Sequence, residues 1–225
     1  MSGTLYIIPT PIGNLEDITL RAINVLKTVD VVAAEDTRHT GKLLAHLQIK
    51  KPLLSYQEHN EITRIPHLIK LLNDGQDVGL VSDAGTPTLS DPGFKLIRQV
   101  VQSNVAIEVL PGASSILVAL VGSGLPTDKF YFGGFLPKNS GKRQTTFNEL
   151  KNLPATLIFF ESPYRLHSAL IDAKEVFGNR NGVIARELTK LHQEFWRGTI
   201  DEAVETFYNK KIKGEIVLLF EKNAL

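Results

Sequence analysis

Four stretches of this sequence concentrate residues that let a ligand approach the main chain. They are Pro9-Thr10-Pro11-Ile12-Gly13-Asn14, Ala34-Glu35-Asp36-Thr37-Arg38, Ser82-Asp83-Ala84-Gly85-Thr86-Pro87 and Pro111-Gly112-Ala113-Ser114-Ser115. Each follows a short apolar run. Small residues expose backbone N–H and C=O groups to close contact. Such turns also punctuate ordinary strand–helix units, so it is their recurrence that points to one framed ligand. A second set lies further on, at Phe160-Glu161-Ser162-Pro163 and Arg186-Glu187-Leu188-Thr189-Lys190.

Other chemistries are excluded by absence. The chain has no cysteine, so no thiolate nucleophile, Fe–S cluster or Cys-bearing zinc site is available. The histidines are scattered, and no metal is expected. There is no Gly-x-Gly-x-x-Gly, no Walker A loop, no His-Glu-x-x-His and no Gly-x-Ser-x-Gly elbow.

The elements that must position these loops follow from hydrophobic periodicity. Strands are predicted at 5–8, 29–34, 53–55, 78–81 and 105–110. Helices are predicted at 17–27, 37–47, 61–72, 94–101 and 113–121. This is an α/β alternation, which implies a mostly parallel sheet with helices on its faces. In such sheets ligands bind beyond the carboxyl ends of the strands, so the four loops are expected along one edge. After Gly122-Ser123-Gly124-Leu125-Pro126 the pattern restarts. Strands at 130–132, 156–160, 183–185, 193–196 and 215–220 alternate with helices at 144–150, 166–176 and 200–208. Two α/β domains are therefore expected, 1–122 and 123–225, with a ligand in the cleft between them.

Composition agrees. In 225 residues, 43% are hydrophobic and 22% charged, as in ordinary globular chains. Net charge is +1, which argues against an indiscriminate nucleic-acid binder. The balance shifts along the chain, with 10 basic and 12 acidic residues in 1–123 against 15 and 12 in 124–225. No apolar run reaches membrane-spanning length and no leader pattern is visible. A cytoplasmic protein without a membrane partner is expected.

The loops, taken in order with Tyr56-Gln57-Glu58-His59-Asn60-Glu61, Ser90-Asp91-Pro92-Gly93 and Gly134-Phe135-Leu136-Pro137-Lys138, closely resemble the small-subunit ribosomal RNA 2′-O-methyltransferases of the RsmI type. That family belongs to the tetrapyrrole-methylase fold group, the class III S-adenosylmethionine (SAM) methyltransferases. The resemblance spans about residues 4–221. It implies two α/β domains with mixed or parallel sheets, SAM in the interdomain cleft, and no metal. It implies 2′-O-methylation of a cytidine in the decoding region of 16S rRNA, in the small ribosomal subunit, by a homodimer. Longer family members carry a small C-terminal module, expected to be absent here.

The resemblance also assigns roles. Ile12 and Gly13 would wall the cofactor pocket, and Ala84, Gly85, Thr86 and Leu89 would flank its methionine end. Ser114 and Ser115 would bond it, unless they merely cap a helix. Glu161, Arg186, Glu187 and Leu188 would enclose the adenosine. A ribose hydroxyl is weakly acidic, so a base should assist; Glu35, Asp36, Glu58 and His59 are candidates. Asp36, Arg38, His59 and Asn60 are taken as the catalytic cluster, although Asp36 with Arg38 equally suits a helix-start ion pair. Lys138, Lys142 and Arg143, read as a mobile basic loop, with Arg165 and Lys190, would contact RNA phosphates. Two other readings stay open: another SAM methylase on this fold acting on a tetrapyrrole or other small molecule, and a non-catalytic RNA-binding module.

Overall fold

A computed structural model describes residues 2–223; the outermost residues of the two expected domains, Met1 and Ala224–Leu225, lie outside it. The chain divides into two units between Ser114 and Ser115.

The first unit contains strands β1 (Thr4–Ile7), β2 (Val31–Ala34), β3 (Leu53–Ser55), β4 (Val78–Val81) and β5 (Ala106–Val109). Helices α1 (Leu20–Thr28), α2 (Thr37–His46), α3 (Glu61–Asn73) and α4 (Phe94–Gln102) connect them. The sheet order is β3-β2-β4-β1-β5 and every pairing is parallel. The central strands β2 and β4 are buried at every position, as a sheet covered on both faces requires. One face packs Leu5, Ile7, Leu80 and Tyr56 against Leu68 and Leu72 of α3 and Leu96 and Val100 of α4. The other packs Ile8, Val32 and Val81 against Ala22 and Leu26 of α1 and Leu44 of α2. Parallel pairing carries all five strand C-termini to one edge, as the sequence predicted.

The predicted helix 17–27 is two elements. A 3₁₀ turn spans Leu15–Asp17, and α1 begins only after Thr19, whose hydroxyl accepts from the Ala22 N–H. A threonine cap ends the competition between the two helical forms.

The second unit contains α5 (Ser115–Ser123), β6 (Phe130–Phe135), α6 (Ser140–Leu150), β7 (Thr156–Glu161), α7 (Leu166–Phe177), β8 (Asn181–Arg186), β9 (Glu194–Thr199), α8 (Ile200–Thr206) and β10 (Ile216–Phe220). Its order is β6-β7-β10-β8-β9. Only β6–β7 is parallel; the other three pairings are antiparallel. Phe147, Leu166, Leu170, Ala203 and Phe207 from the helices cover Leu157, Phe159, Leu218 and Phe220 of the sheet. The division at Ser114/Ser115 lies eight residues before the boundary expected after Gly122. Helix α5 packs on β8, β9 and β10, and Arg197 Nε donates to the Ser123 carbonyl at its end.

Candidate active site

Backbone bonds stitch the strand-end loops of the first unit together. The Thr10 N–H donates to the Gly85 carbonyl and the Gly85 N–H to the Thr10 carbonyl, at 2.9 and 3.0 Å. The Thr10 hydroxyl donates to the Ser82 carbonyl at 3.1 Å, and the Thr86 hydroxyl to the Ala113 carbonyl at 3.2 Å. Loops after β1, β4 and β5 thus form one surface. It holds Ile12, which is buried, and Gly13, Ala84 and Leu89, which are exposed. Thr86 and Ser114 are half-buried there. Gly85 has φ +83°, and a Cβ on it would lie 3.2 Å from the Ile12 side chain. Thr88 (φ +77°) and Ser90 (φ +69°) share the same long loop. A β-branched residue in that region is strained, and such strain collects where a loop is shaped for a ligand.

Three carboxylates occupy the neighbouring strand ends. The Asp36 N–H donates to Asp83 Oδ1 at 3.0 Å, and the Asp83 N–H to Glu35 Oε2 at 3.4 Å. The loops after the paired strands β2 and β4 therefore exchange side-chain bonds. Asp91, in the loop before α4, completes the group. Burial, and then the charge of Asp83, push Glu35 above the usual carboxylate range. Burial and the Glu35 charge push Asp91 up to about 6, against the opposing effect of the Ser82 hydroxyl. Among the described residues, no cation lies within ion-pair distance of Glu35, Asp83 or Asp91. Crowded, partly desolvated carboxylates retain protons in this way. Sequence reasoning named Glu35 as a possible base and passed over Asp91. The signal was an acidic residue in each of Ala-Glu-Asp, Ser-Asp-Ala and Ser-Asp-Pro.

The expected catalytic cluster is only partly assembled. Asp36 caps α2 and is chelated by Arg38, whose Nε and Nη2 donate at 3.0 and 2.6 Å. Those bonds, with the Arg38 N–H, hold Asp36 far below the usual carboxylate range, which makes it a weak proton acceptor. The helix-start ion pair is the better account of both residues. Asn60 shapes the loop after β3, accepting from the Gln57 N–H at 2.8 Å and donating to Ser55 Oγ at 3.3 Å. His59 stands exposed in that turn.

In the second unit, strand register gathers the expected cofactor residues. Ile216 of β10 pairs with Glu161 on one side and Arg186 on the other, and Arg186 pairs with Glu194 of β9. Glu161 Oε1 accepts from the Ser162 N–H at 2.6 Å and pairs with Arg165 Nη2 at 2.6 Å. Its Oε2 and Arg165 Nη1 are buried with no hydrogen-bond partner among the described residues. Burial outweighs Arg165 and pushes Glu161 upward. Arg186 is engaged by Glu194 and the Lys213 carbonyl. Glu187 and Thr189 have φ +50° and +61°, a second strained loop, and Leu188 is buried. Ser115 opens α5.

The expected RNA contacts need correction. The segment Lys138–Arg143 is no mobile loop: Asn139 accepts from the Lys142 N–H and caps α6, which starts at Ser140. Arg143 is 2% exposed and bonds Asp172 Oδ2, the Pro137 carbonyl and the Ser168 hydroxyl. It cannot reach a phosphate. Arg165 is held by Glu161, and Lys190 is held by Glu187 and Glu215 at 2.8 and 3.0 Å. Lys138 and Lys142 remain exposed without an ion-pair partner among the described residues.

Residues 4–204 match the family described as Tetrapyrrole (Corrin/Porphyrin) Methylases. The chain belongs to that family. Curated relatives narrow the branch. The Ribosomal RNA small subunit methyltransferase I of Halalkalibacterium halodurans is 50% identical over 222 residues, covering 99% of this chain and 77% of that protein. Its counterpart in Thermotoga maritima is 48% identical over 217 residues, covering 96% and 97%. The solved uroporphyrin-III C-methyltransferase of Thermus thermophilus, complexed with S-adenyl homocysteine, matches with a TM-score of 0.69 at 17% identity, covering 96% and 97%. That likeness shows the tetrapyrrole-methylase fold expected from the motifs.

Proposed function

We propose that this chain is a SAM-dependent 2′-O-methyltransferase of small-subunit ribosomal RNA, acting on a cytidine ribose of the decoding region. The observation that carries the reading is its half-identity, over 99% of its length, to a Ribosomal RNA small subunit methyltransferase I. The site residues fit the cofactor. In the first unit Ala84 is exposed beside Gly85, whose left-handed turn is pinned to Thr10, and in the second the buried Glu161 Oε2 has no donor among the described residues. SAM, when bound, supplies a methyl group already activated as a sulfonium.

What the protein must add is alignment of the ribose oxygen and an acceptor for its proton. Asp36, held low by Arg38, is a poor acceptor. Glu35 and Asp91 are better placed chemically. A carboxyl titrating near 6 is mostly ionised at neutral pH yet more basic than an ordinary aspartate. We assign the proton to this pair, with Asp83 raising its basicity.

No helix among the described residues is long and apolar enough to cross a membrane. Residence in the cytoplasm and action as a homodimer belong to the same proposal. The exposed Leu117 and Val121, one turn apart on α5, favour a second copy, and sedimentation would test it.

The deciding experiment is methyl transfer from labelled SAM to small subunits lacking their native 2′-O-methyl marks, with the product mapped. Incorporation at one decoding-region cytidine ribose is the expected result. SAM binding without incorporation into RNA would overturn the substrate, and no SAM binding would overturn the reading altogether.

A further inference from the structure

The start of α4 carries a feature that the methyl-transfer site does not use. Phe94, its first residue, is 65% exposed, while Leu96 and Val100 of the same helix are buried. Helical spacing puts Phe94, Arg98 and Val101 on one outward stripe, and Val101 is also exposed. The helix bears two cations, Lys95 and Arg98, and no acidic residue. The first turn of α3 is tied to it. Lys95 Nζ pairs with Glu61 Oε1 at 2.5 Å, and the Tyr56 hydroxyl donates to Glu61 Oε2 at 3.3 Å. That turn exposes Ile62, at 70%, and Arg64. Neither Arg64 nor Arg98 has a carboxylate partner among the described residues.

A single exposed apolar side chain is ordinary. Here two stand on joined helix starts, between unpaired guanidinium groups, and Phe94 follows Asp91 by three residues. That length of chain spans at most about 11 Å, so the stripe begins within a nucleotide or two of a ribose held at the carboxylates. The charge selects the occupant. An apolar protein face would leave the guanidinium groups unanswered, whereas a polyanion carrying flat aromatic rings satisfies both features. Unpaired bases stack on such side chains while arginines meet the phosphates.

We infer that the first turns of α3 and α4 form a stacking platform for an unpaired base of single-stranded RNA flanking the methylated ribose. The base lies on Phe94, and Arg98 and Arg64 meet the adjoining phosphates. The inference rests on the ribosomal RNA reading and names where that RNA is gripped.

The test uses the full chain and a single-stranded RNA of decoding-region sequence with 2-aminopurine beside the target cytidine. Phe94→Ala, Phe94→Leu and Phe94→Trp are compared with the unmodified chain for RNA affinity, 2-aminopurine fluorescence and SAM affinity. Base stacking on an aromatic ring is worth about 1–3 kcal/mol, so Phe94→Ala should weaken RNA binding roughly tenfold and abolish the fluorescence quench. Phe94→Trp should restore both, Phe94→Leu should not, and SAM affinity should stay unchanged in all three. Wild-type RNA affinity and quench in Phe94→Ala would overturn the platform. If the unmodified chain binds and quenches through Phe94 but transfers no methyl group, the platform stands and the activity reading falls. If the unmodified chain does not bind this RNA, the platform falls with it.

Discussion

The two sheets of this molecule treat charge at their strand ends in opposite ways. In the second unit the acidic residues around the sheet end have cations: Glu161 has Arg165, Glu194 has Arg186, and Glu187 and Glu215 share Lys190. In the first, Glu35, Asp83 and Asp91 crowd together with no cation at ion-pair distance among the described residues, and two of them are pushed upward. A paired carboxylate holds structure, whereas a crowded and desolvated one keeps the capacity to exchange a proton near neutral pH. Glu161 is also pushed upward by burial, but Arg165 holds it, so the proposed reading gives proton transfer to the cation-free carboxylates of the parallel sheet.

The strongest way to break this comparison is Asp91→Asn. Removing a general base lowers the rate by roughly 10²- to 10⁴-fold, so methyl transfer should fall by that factor with SAM affinity intact. The same substitution should stabilise the fold. Asp91 titrates near 3.8 in an unfolded chain and about 6 here, so the folded state binds its proton more tightly. Its contribution to stability therefore declines as pH rises from about 4 to about 6, and above that it is a constant penalty. Relief of that penalty, discounted for partial exposure, is about 1 kcal/mol at pH 7. Urea unfolding at pH 4 and pH 7 checks the sign: the gain should appear at pH 7 and vanish at pH 4. A rate within a factor of a few of the unmodified chain would return the proton to another group.

In the second unit the expected effect is on stability alone. Arg143 and Asp172 are an ion pair at 2.5 Å with side chains 3% and 6% exposed, and Ser140 and Gln144 also donate to Asp172. Asp172→Ala strands a buried guanidinium and should cost about 3–5 kcal/mol, whereas Arg143→Met with Asp172→Leu should recover most of it. Denaturant unfolding of the single and double variants measures both. A smaller effect is expected at Gly85, where a side chain meets a φ of +83° and the Ile12 methyl. Gly85→Ala should cost about 1–2 kcal/mol and weaken SAM binding in titration calorimetry.

Much of this arrangement is legible in the sequence because apolar runs followed by small-residue turns dictate a parallel sheet with its loops on one edge. Strand order is not, since β4 enters between β1 and β2 through long-range pairing that no local pattern encodes. Asp91 was passed over for the same reason: Glu35 follows β2, and the β2–β4 register is what brings it to the loop that carries Asp83 and Asp91. Arg143 was misread for a different one. In Ser-Gly-Lys-Arg-Gln-Thr-Thr-Phe the polar composition suggests a loop. Yet Arg143 precedes the buried Phe147 by one turn and shares its inward stripe, and Asn139 marks the cap. Periodicity read from Phe147 backwards would have placed it inside, where only a partner such as Asp172 makes a charge tolerable.

The smallest expected effect separates the two kinds of cation on α6 and its approach. Lys138 and Lys142 are exposed with no ion-pair partner among the described residues, while Arg143, beside Lys142, is buried. Each phosphate contact on a single strand contributes about 0.7 to the slope of log affinity against log salt. If both lysines meet RNA phosphates, Lys138→Ala with Lys142→Ala should reduce that slope by about 1.4 and leave SAM affinity and folding stability unchanged. Arg143→Ala should do the reverse, lowering stability while folded molecules keep the full slope. Measuring RNA affinity across a salt series for the three proteins therefore tests the lysines against a residue that shares their segment and charge but not their solvent. An unchanged slope in the double lysine variant would move the phosphate grip of the RNA away from α6 and back to the arginines of α3 and α4.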